Sequence, residues 1–185
     1  MLSDTQLPTE ATETHPNRIT LRKAESRDGS LVHDLVKRCK PLDENSVYCN
    51  LLQCTHFADT CVAAEMDGEL VGFISGYILP KQQNTLFIWQ VAVDEKTRGQ
   101  GLARRMLNEL LERPECASVQ YIETTIIPDN QASWNMFRRF AEERHFRTEN
   151  FIFFDSDVHF FGAHPSEYLL RIGPFNRTSA EERLN

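Results

Sequence analysis

The chain has 185 residues, 41% of them hydrophobic and 25% charged, enough for one globular domain with a real core. Its formal charge of −7 and pI near 5.4 argue against nucleic acid or an anionic membrane as partner, because both demand a basic surface. A small cationic substrate suits that charge. No apolar run approaches membrane-spanning length, and no basic stretch followed by an apolar core opens the chain, so neither a membrane span nor a secretory signal is read.

Residues 1–17 are rich in Thr, Glu and Pro without apolar periodicity and read as a disordered tail. Residues 18–23 alternate with period two and predict a first strand. Leu31, Val32, Leu35, Val36 and Cys39 share one face of a helix over 28–39, which Pro41 ends. After a polar loop, Val47, Leu51 and Cys54 predict a second helix within 46–57. Apolar strands over 60–66 and 69–79 flank Asp67-Gly68, a hairpin signal because a type I′ turn needs positive φ at both central positions. A second turn at 80–84 leads into an apolar strand over 86–93.

Leu102, Met106, Leu107, Leu110 and Leu111 then recur at helical spacing through 101–113. A strand over 119–126 ends at Pro128, and Asp129 or Asn130 can cap a helix over 131–142 whose apolar members are Trp134, Phe137 and Phe140. Two late strands, 150–154 and 168–172, bracket a long loop, and the last dozen residues are polar. The expected domain spans 18–173, with a polar tail over 174–185. Its class is α+β, built on a mixed, mostly antiparallel sheet of six to seven strands flanked by helices. Cys39, Cys49, Cys54, Cys61 and Cys116 are odd in number and form no Cys-x-x-Cys pair, which reads as free thiols in a reducing cytoplasm. The six histidines show no His-x-x-x-His spacing, so no metal site is expected.

The join between the 86–93 strand and the following helix carries the chemistry. The first N–H groups of a helix lack internal partners and lie at a positive dipole end. Gly99 and Gly101 lack Cβ atoms that would keep an anion from the backbone, and Arg98 and Arg104 add charge. Together these make a pyrophosphate cradle. The string Arg98-Gly99-Gln100-Gly101-Leu102-Ala103, directly after Val91-Ala92-Val93-Asp94, resembles the acetyl-CoA signature of the GCN5-related N-acetyltransferases, Gln/Arg-x-x-Gly-x-Gly/Ala, at Arg98, Gly101 and Ala103. That resemblance implies that the amides from Arg98 to Arg104 hold the CoA pyrophosphate. It also implies that Val91 and Val93 pair with the pantetheine arm, and that the 86–93 and 119–126 strands splay to admit the thioester. Asn130-x-Ala132 followed by Phe137 resembles the second half of the family pattern, one residue tight around Asn130. Asn130 reads equally as a helix cap and as a cofactor contact. Phe137 stands where the family usually has a tyrosine that protonates the leaving thiolate, and reads as core packing.

An alkylamine titrates near about 10 and must lose a proton before it attacks a thioester. Glu123 is the one carboxylate in the 119–126 strand and is the candidate base, against the alternative of an outward-facing strand residue. Three further stretches, 40–48, 87–94 and 159–168, resemble the diaminobutyrate N-acetyltransferases of ectoine biosynthesis. This closer resemblance implies a small diamino acid bound among Asp43, Tyr48, Trp89, His164 and Glu167, in a cytoplasmic homodimer. Two alternatives stay open: an acetyltransferase for another small amine, and a CoA-binding module without turnover, which the absent tyrosine at Phe137 would favour.

Overall fold

The computed structural model describes residues 18–175; the tail expected at 1–17 and all but the first two residues of the tail expected at 174–185 lie outside them. Seven strands form one sheet in the order β1-β2-β3-β4-β5-β7-β6. They are β1 (Ile19–Lys23), β2 (Val62–Met66), β3 (Glu69–Leu79), β4 (Gln82–Val93), β5 (Tyr121–Ile126), β6 (Thr148–Phe154) and β7 (Glu167–Ile172). The helices are α1 (Gly29–Arg38), α2 (Val47–Gln53), α3 (Leu102–Glu112), α4 (Gln131–Glu142) and the short α5 (Ser156–Phe160). All strand pairs are antiparallel except β4 with β5. Asp67 and Gly68 both take positive φ, 52° and 81°, as a type I′ hairpin turn requires.

Periodicity explains most of the layering. Leu102, Met106, Leu107 and Leu110 of α3 and Trp134, Phe137 and Phe140 of α4 bury on one face of the sheet against Val71, Ile74, Leu86, Ile88, Ile122 and Ile126. Val32, Leu35 and Val36 of α1 cover Ala63, Phe73 and Ala92 on the other face. Phe175 joins the first cluster, 4.6 Å between ring centroids from Phe146, so the packed domain continues past 173. Two helix-face expectations change. Leu31 is largely exposed, because the stripe that meets the sheet runs through Val32, Leu35 and Val36. In α2 the buried residues are Asn50 and Gln53, bonded to each other at 3.0 Å, while Val47 and Leu51 stay part-exposed. Leu51 instead closes over Gly29, where a Cβ would lie only 2.6 Å from it. The loop expected between the last two strands contains α5, capped by Asp155.

Two departures from regular pairing build the site. β4 and β5 pair only at Thr85–Tyr121, Leu86–Ile122 and Phe87–Glu123, and then part. Trp89 is an extra residue in β4: Ile88 faces Gly76 and Gln90 faces Ser75, with nothing opposite Trp89. Such a bulge bends the strand and re-aims its side chains.

Candidate active site

Beyond the bulge, the ladder sets the direction of the backbone groups. Asp94 N–H donates to Val71 O at 2.9 Å. Alternate residues of an antiparallel strand turn their N–H and C=O groups away from the partner. Val91 and Val93 therefore point theirs into the gap that β5 has left. The Val93 carbonyl, so directed, accepts from Cys39 Sγ at 3.3 Å and Arg98 Nε at 3.2 Å.

The chain then turns through Gly99 and Gly101, with φ of 76° and 72°, into α3. Arg105 N–H is bonded to Gly101 O at 3.0 Å, and the N–H groups ahead of it have no acceptor within the helix. A Cβ built at Gly99 meets nothing within 4 Å, so the glycine leaves open space above the loop amides. A cleft of about 660 Å³ lies over this turn, walled by every residue from Thr97 to Arg104, by Asn135, Met136 and Arg139 of α4, and by Glu143 just past its end. Arg104 pairs with Glu143 at 2.5 Å across its mouth.

This cleft continues inward. A second hollow of about 240 Å³ shares Val93, Arg98, Ala103, Ala132 and Met136 with it and reaches Val91 and Asn130. A third, of about 210 Å³, shares Pro41, Leu42, Val91, Asn130 and Ser133 with the second and ends between the splayed strands. Asn130 stands at the junction. Its Oδ1 caps α4 by accepting from Ser133 N–H at 3.1 Å, so the cap and a place on the channel wall coexist. Ser133 and Phe137, four residues apart on one face of α4, both line the innermost cavity, and Phe137 is buried. Ala132 faces the outer hollows instead.

The innermost cavity is acidic. Asp43 and Glu167 line it with Asn45, Trp89, Gln90, Thr124 and Thr125, and no lysine or arginine does. Burial raises the Glu167 carboxyl above its usual range, opposed by nearby His164 and a hydrogen bond with Thr125, while Asp43 raises it further. His164 sits on Phe160, ring centroids 4.8 Å apart, with Nδ1 2.8 Å from Pro165 O and Nε2 3.9 Å from Asp43 Oδ2. Trp89 is 45% exposed and edges against Tyr77, 6.4 Å between centroids.

Two expected residues lie elsewhere. Tyr48 is 70% exposed on α2 and does not line the cavity. The Glu123 carboxylate is on the opposite face of the sheet from α3 and α4. There it accepts from Arg171 at 2.7 Å, with Arg171 over the Tyr121 ring at 4.0 Å. In β5, Ile122 and Ile126 face the helices, so period two sends Glu123 the other way. It borders a separate groove of about 500 Å³ lined by Tyr77, Phe87, Trp89, Phe151, Phe153 and Leu169. A carboxylate engaged by a guanidinium outside the cavity is poorly placed as the base. Asn45, Gln90, Thr125 and Ser133 are wall residues that the spacing did not single out for binding. The only sequence signal was Gln90 breaking an aliphatic run.

The sequence model of the acetyltransferase (GNAT) family matches residues 30–141. This chain belongs to the GNAT family. Within it, the chain is 49% identical to the L-2,4-diaminobutyric acid acetyltransferase of Methylotuvimicrobium alcaliphilum over 162 residues, covering 88% of this chain and 94% of that relative. It is 48% identical to the enzyme of the same name from Vibrio cholerae, covering 82% and 87%. Among solved structures, the diaminobutyrate acetyltransferase EctA from Paenibacillus lautus, in complex with L-2,4-diaminobutyric acid and coenzyme A, superposes with a TM-score of 0.82. The two are 40% identical, over 86% of this chain and 98% of that one. Ard1 from Thermoplasma volcanium, at 16% identity and a TM-score of 0.66, shares the fold. The GNAT chain is thus an acyltransferase, and its co-substrate is acetyl-CoA. Its cradle suits the cofactor's pyrophosphate: free helix amides, open space at Gly99 and the guanidinium groups of Arg98, Arg104 and Arg139 around the cleft.

Proposed function

We propose that this acetyltransferase acylates the side-chain (4-) amine of L-2,4-diaminobutyrate, releasing N4-acetyl-L-2,4-diaminobutyrate and CoA, as a step of ectoine synthesis. One observation carries the reading: the channel from the CoA cradle ends in a small cavity whose charged side chains are all acidic. A diamino acid offers one amine to react and a second for carboxylates to hold. The complex of the Paenibacillus lautus relative with diaminobutyrate and coenzyme A supports the same assignment.

The residues divide the work by position. The amides and glycines from Arg98 to Arg104 bind the pyrophosphate, and Val91 and Val93 direct their backbone groups at the arm that follows. Acetyl-CoA supplies an activated thioester. The N–H groups of Val91 and Val93 are the donors available to polarise its carbonyl. The attacking nitrogen forms the new C–N bond as the C–S bond breaks, without an acyl-enzyme. Its proton passes to Glu167, directly or through one water, because that carboxylate lines the cavity and burial raises its affinity for a proton. Asp43 binds the ammonium that does not react, with His164 beside it. Trp89 offers a ring face to a cation. Phe137 has no proton to give, so the thiolate leaves without help from that position.

The reading extends to a homodimer. Tyr77, Phe87, Trp89, Phe151, Phe153 and Leu169 line a groove to which, among the described residues, no helix contributes, and β6 is exposed along its whole length at the sheet edge. A second copy of the chain would cover both. A cytoplasmic location fits the demand for acetyl-CoA and five cysteines that form no disulfide.

The test is thiol release from acetyl-CoA with diaminobutyrate beside ornithine, lysine and spermidine. Fast release with diaminobutyrate alone supports the assignment. Faster release with another amine moves the substrate, and a ping-pong pattern with an acetylated protein overturns direct transfer.

A further inference from the structure

The loop between α1 and α2 carries Asp43, yet nothing regular holds it. The Asp43 carboxylate does not anchor itself: its side chain is 91% exposed, and its nearest charged neighbour, His164 Nε2, is 3.9 Å away, beyond hydrogen-bond reach. The carboxylate goes where the main chain puts it. The main chain is tied to the sheet by one side-chain amide. Gln90 Nε2 donates to Asp43 O at 2.9 Å, and Gln90 Oε1 accepts from Asn45 Nδ2 at 3.3 Å. His33 Nδ1 lies 3.0 Å from Asn45 O and braces the far end of the loop from α1.

The bulge makes this clamp reachable. With Trp89 as the extra residue, both Trp89 and Gln90 border the cavity instead of alternating between faces. The position also demands an amide. A donor must meet the Asp43 carbonyl while an acceptor meets the Asn45 amide, and a single glutamine end supplies both. Glutamate would lack the donor, and the apolar residues that flank it, such as Ile88 and Val91, would lack both.

We infer that Gln90 is a positioning residue for substrate recognition: by clamping the backbone of residues 43–45 it sets where the Asp43 carboxylate meets the amine of the substrate. The inference rests on the reading of Asp43 as a substrate contact.

A double-mutant cycle tests it, with kcat and both KM values measured on the intact enzyme. Asp43→Ala is expected to raise KM for diaminobutyrate about 10- to 100-fold, the usual worth of a charge-assisted hydrogen bond. Gln90→Ala is expected to raise it about ten-fold and to leave KM for acetyl-CoA within about two-fold. In the Asp43→Ala background, adding Gln90→Ala should then change KM by less than about two-fold, since a residue that works only through Asp43 has nothing left to position. Asn45→Ala, which removes the other end of the clamp, should repeat the pattern, and it serves if Gln90→Ala does not fold. Multiplicative effects in the double variant, an unchanged KM in Gln90→Ala, or an equal rise in both KM values would overturn the inference. An unchanged KM in Asp43→Ala would overturn it by a distinguishable route, since there the substrate contact itself has failed.

Discussion

Glu167→Gln should make this enzyme slower and more stable at once. Burial raises the Glu167 carboxyl pKa, so the folded chain holds that proton more tightly than the unfolded chain does. The group therefore favours folding below its unfolded pKa, and that contribution is lost as pH rises through the folded value; at neutral pH the charged carboxylate is a net burden. Glutamine keeps the shape and an acceptor for Thr125 and carries no charge. Relieving such a site is worth roughly 0.5–2 kcal/mol in natural proteins. Solvent still reaches this half-buried group, which argues for the lower part of that range. About 1 kcal/mol corresponds to a rise of about 2–4 °C in Tm for a domain of this size. Loss of a positioned proton acceptor lowers the rate by about 10²- to 10⁴-fold. The wild-type rate should fall as pH drops through the raised pKa, and the variant should lack that acidic limb. Differential scanning fluorimetry and a pH series of thiol-release rates measure both effects. A variant that melts lower as it loses activity would make Glu167 a structural residue, and one with unchanged kcat would send the proton elsewhere.

Gly99→Ala places a methyl group in the open space over the cradle at φ 76°. It should raise KM for acetyl-CoA while KM for diaminobutyrate holds, with about 1–2 kcal/mol of stability lost to the left-handed backbone; an unchanged acetyl-CoA affinity by calorimetry would remove Gly99 from the cradle. Glu123→Gln should keep kcat within about three-fold. Arg171→Met leaves the nearly buried Glu123 carboxylate without its partner and should destabilise by about 3 kcal/mol in urea unfolding; a loss of turnover in Glu123→Gln without loss of stability would restore Glu123 as a catalytic residue. Phe153→Lys charges the uncovered groove and should convert a dimer to a monomer in sedimentation velocity, and a wild-type monomer would refute the proposed interface.

Local chemistry carries far in this chain. Alternating and helical periodicities, the Asp67-Gly68 turn and the strand, glycine turn and helix around Arg98 to Arg104 each depend on neighbours in sequence, and the structure places them as their residues demand. The errors fall where a helix face is chosen by what packs on it. Val47 and Leu51 look like the inner face of α2, yet Asn50 and Gln53 are the buried residues, joined by one hydrogen bond from Asn50 Nδ2 to Gln53 Oε1. Glu123 looks available in sequence, and only the β5–β7 pairing reveals Arg171 opposite it.

The sequence by itself determined the sheet's elements, the anion cradle and an acidic chain suited to a cationic substrate, because those properties follow from residue type and short spacing. Tertiary structure decided which carboxylates line the inner cavity and which one pairs with an arginine instead. The parting of β4 from β5 and the bulge at Trp89 are long-range events, and they gather Asp43, Gln90, Ser133 and Glu167 around one cavity from four separate parts of the chain. Burial then raises the pKa of Glu167, and burial is a property that no residue possesses until the others have packed around it.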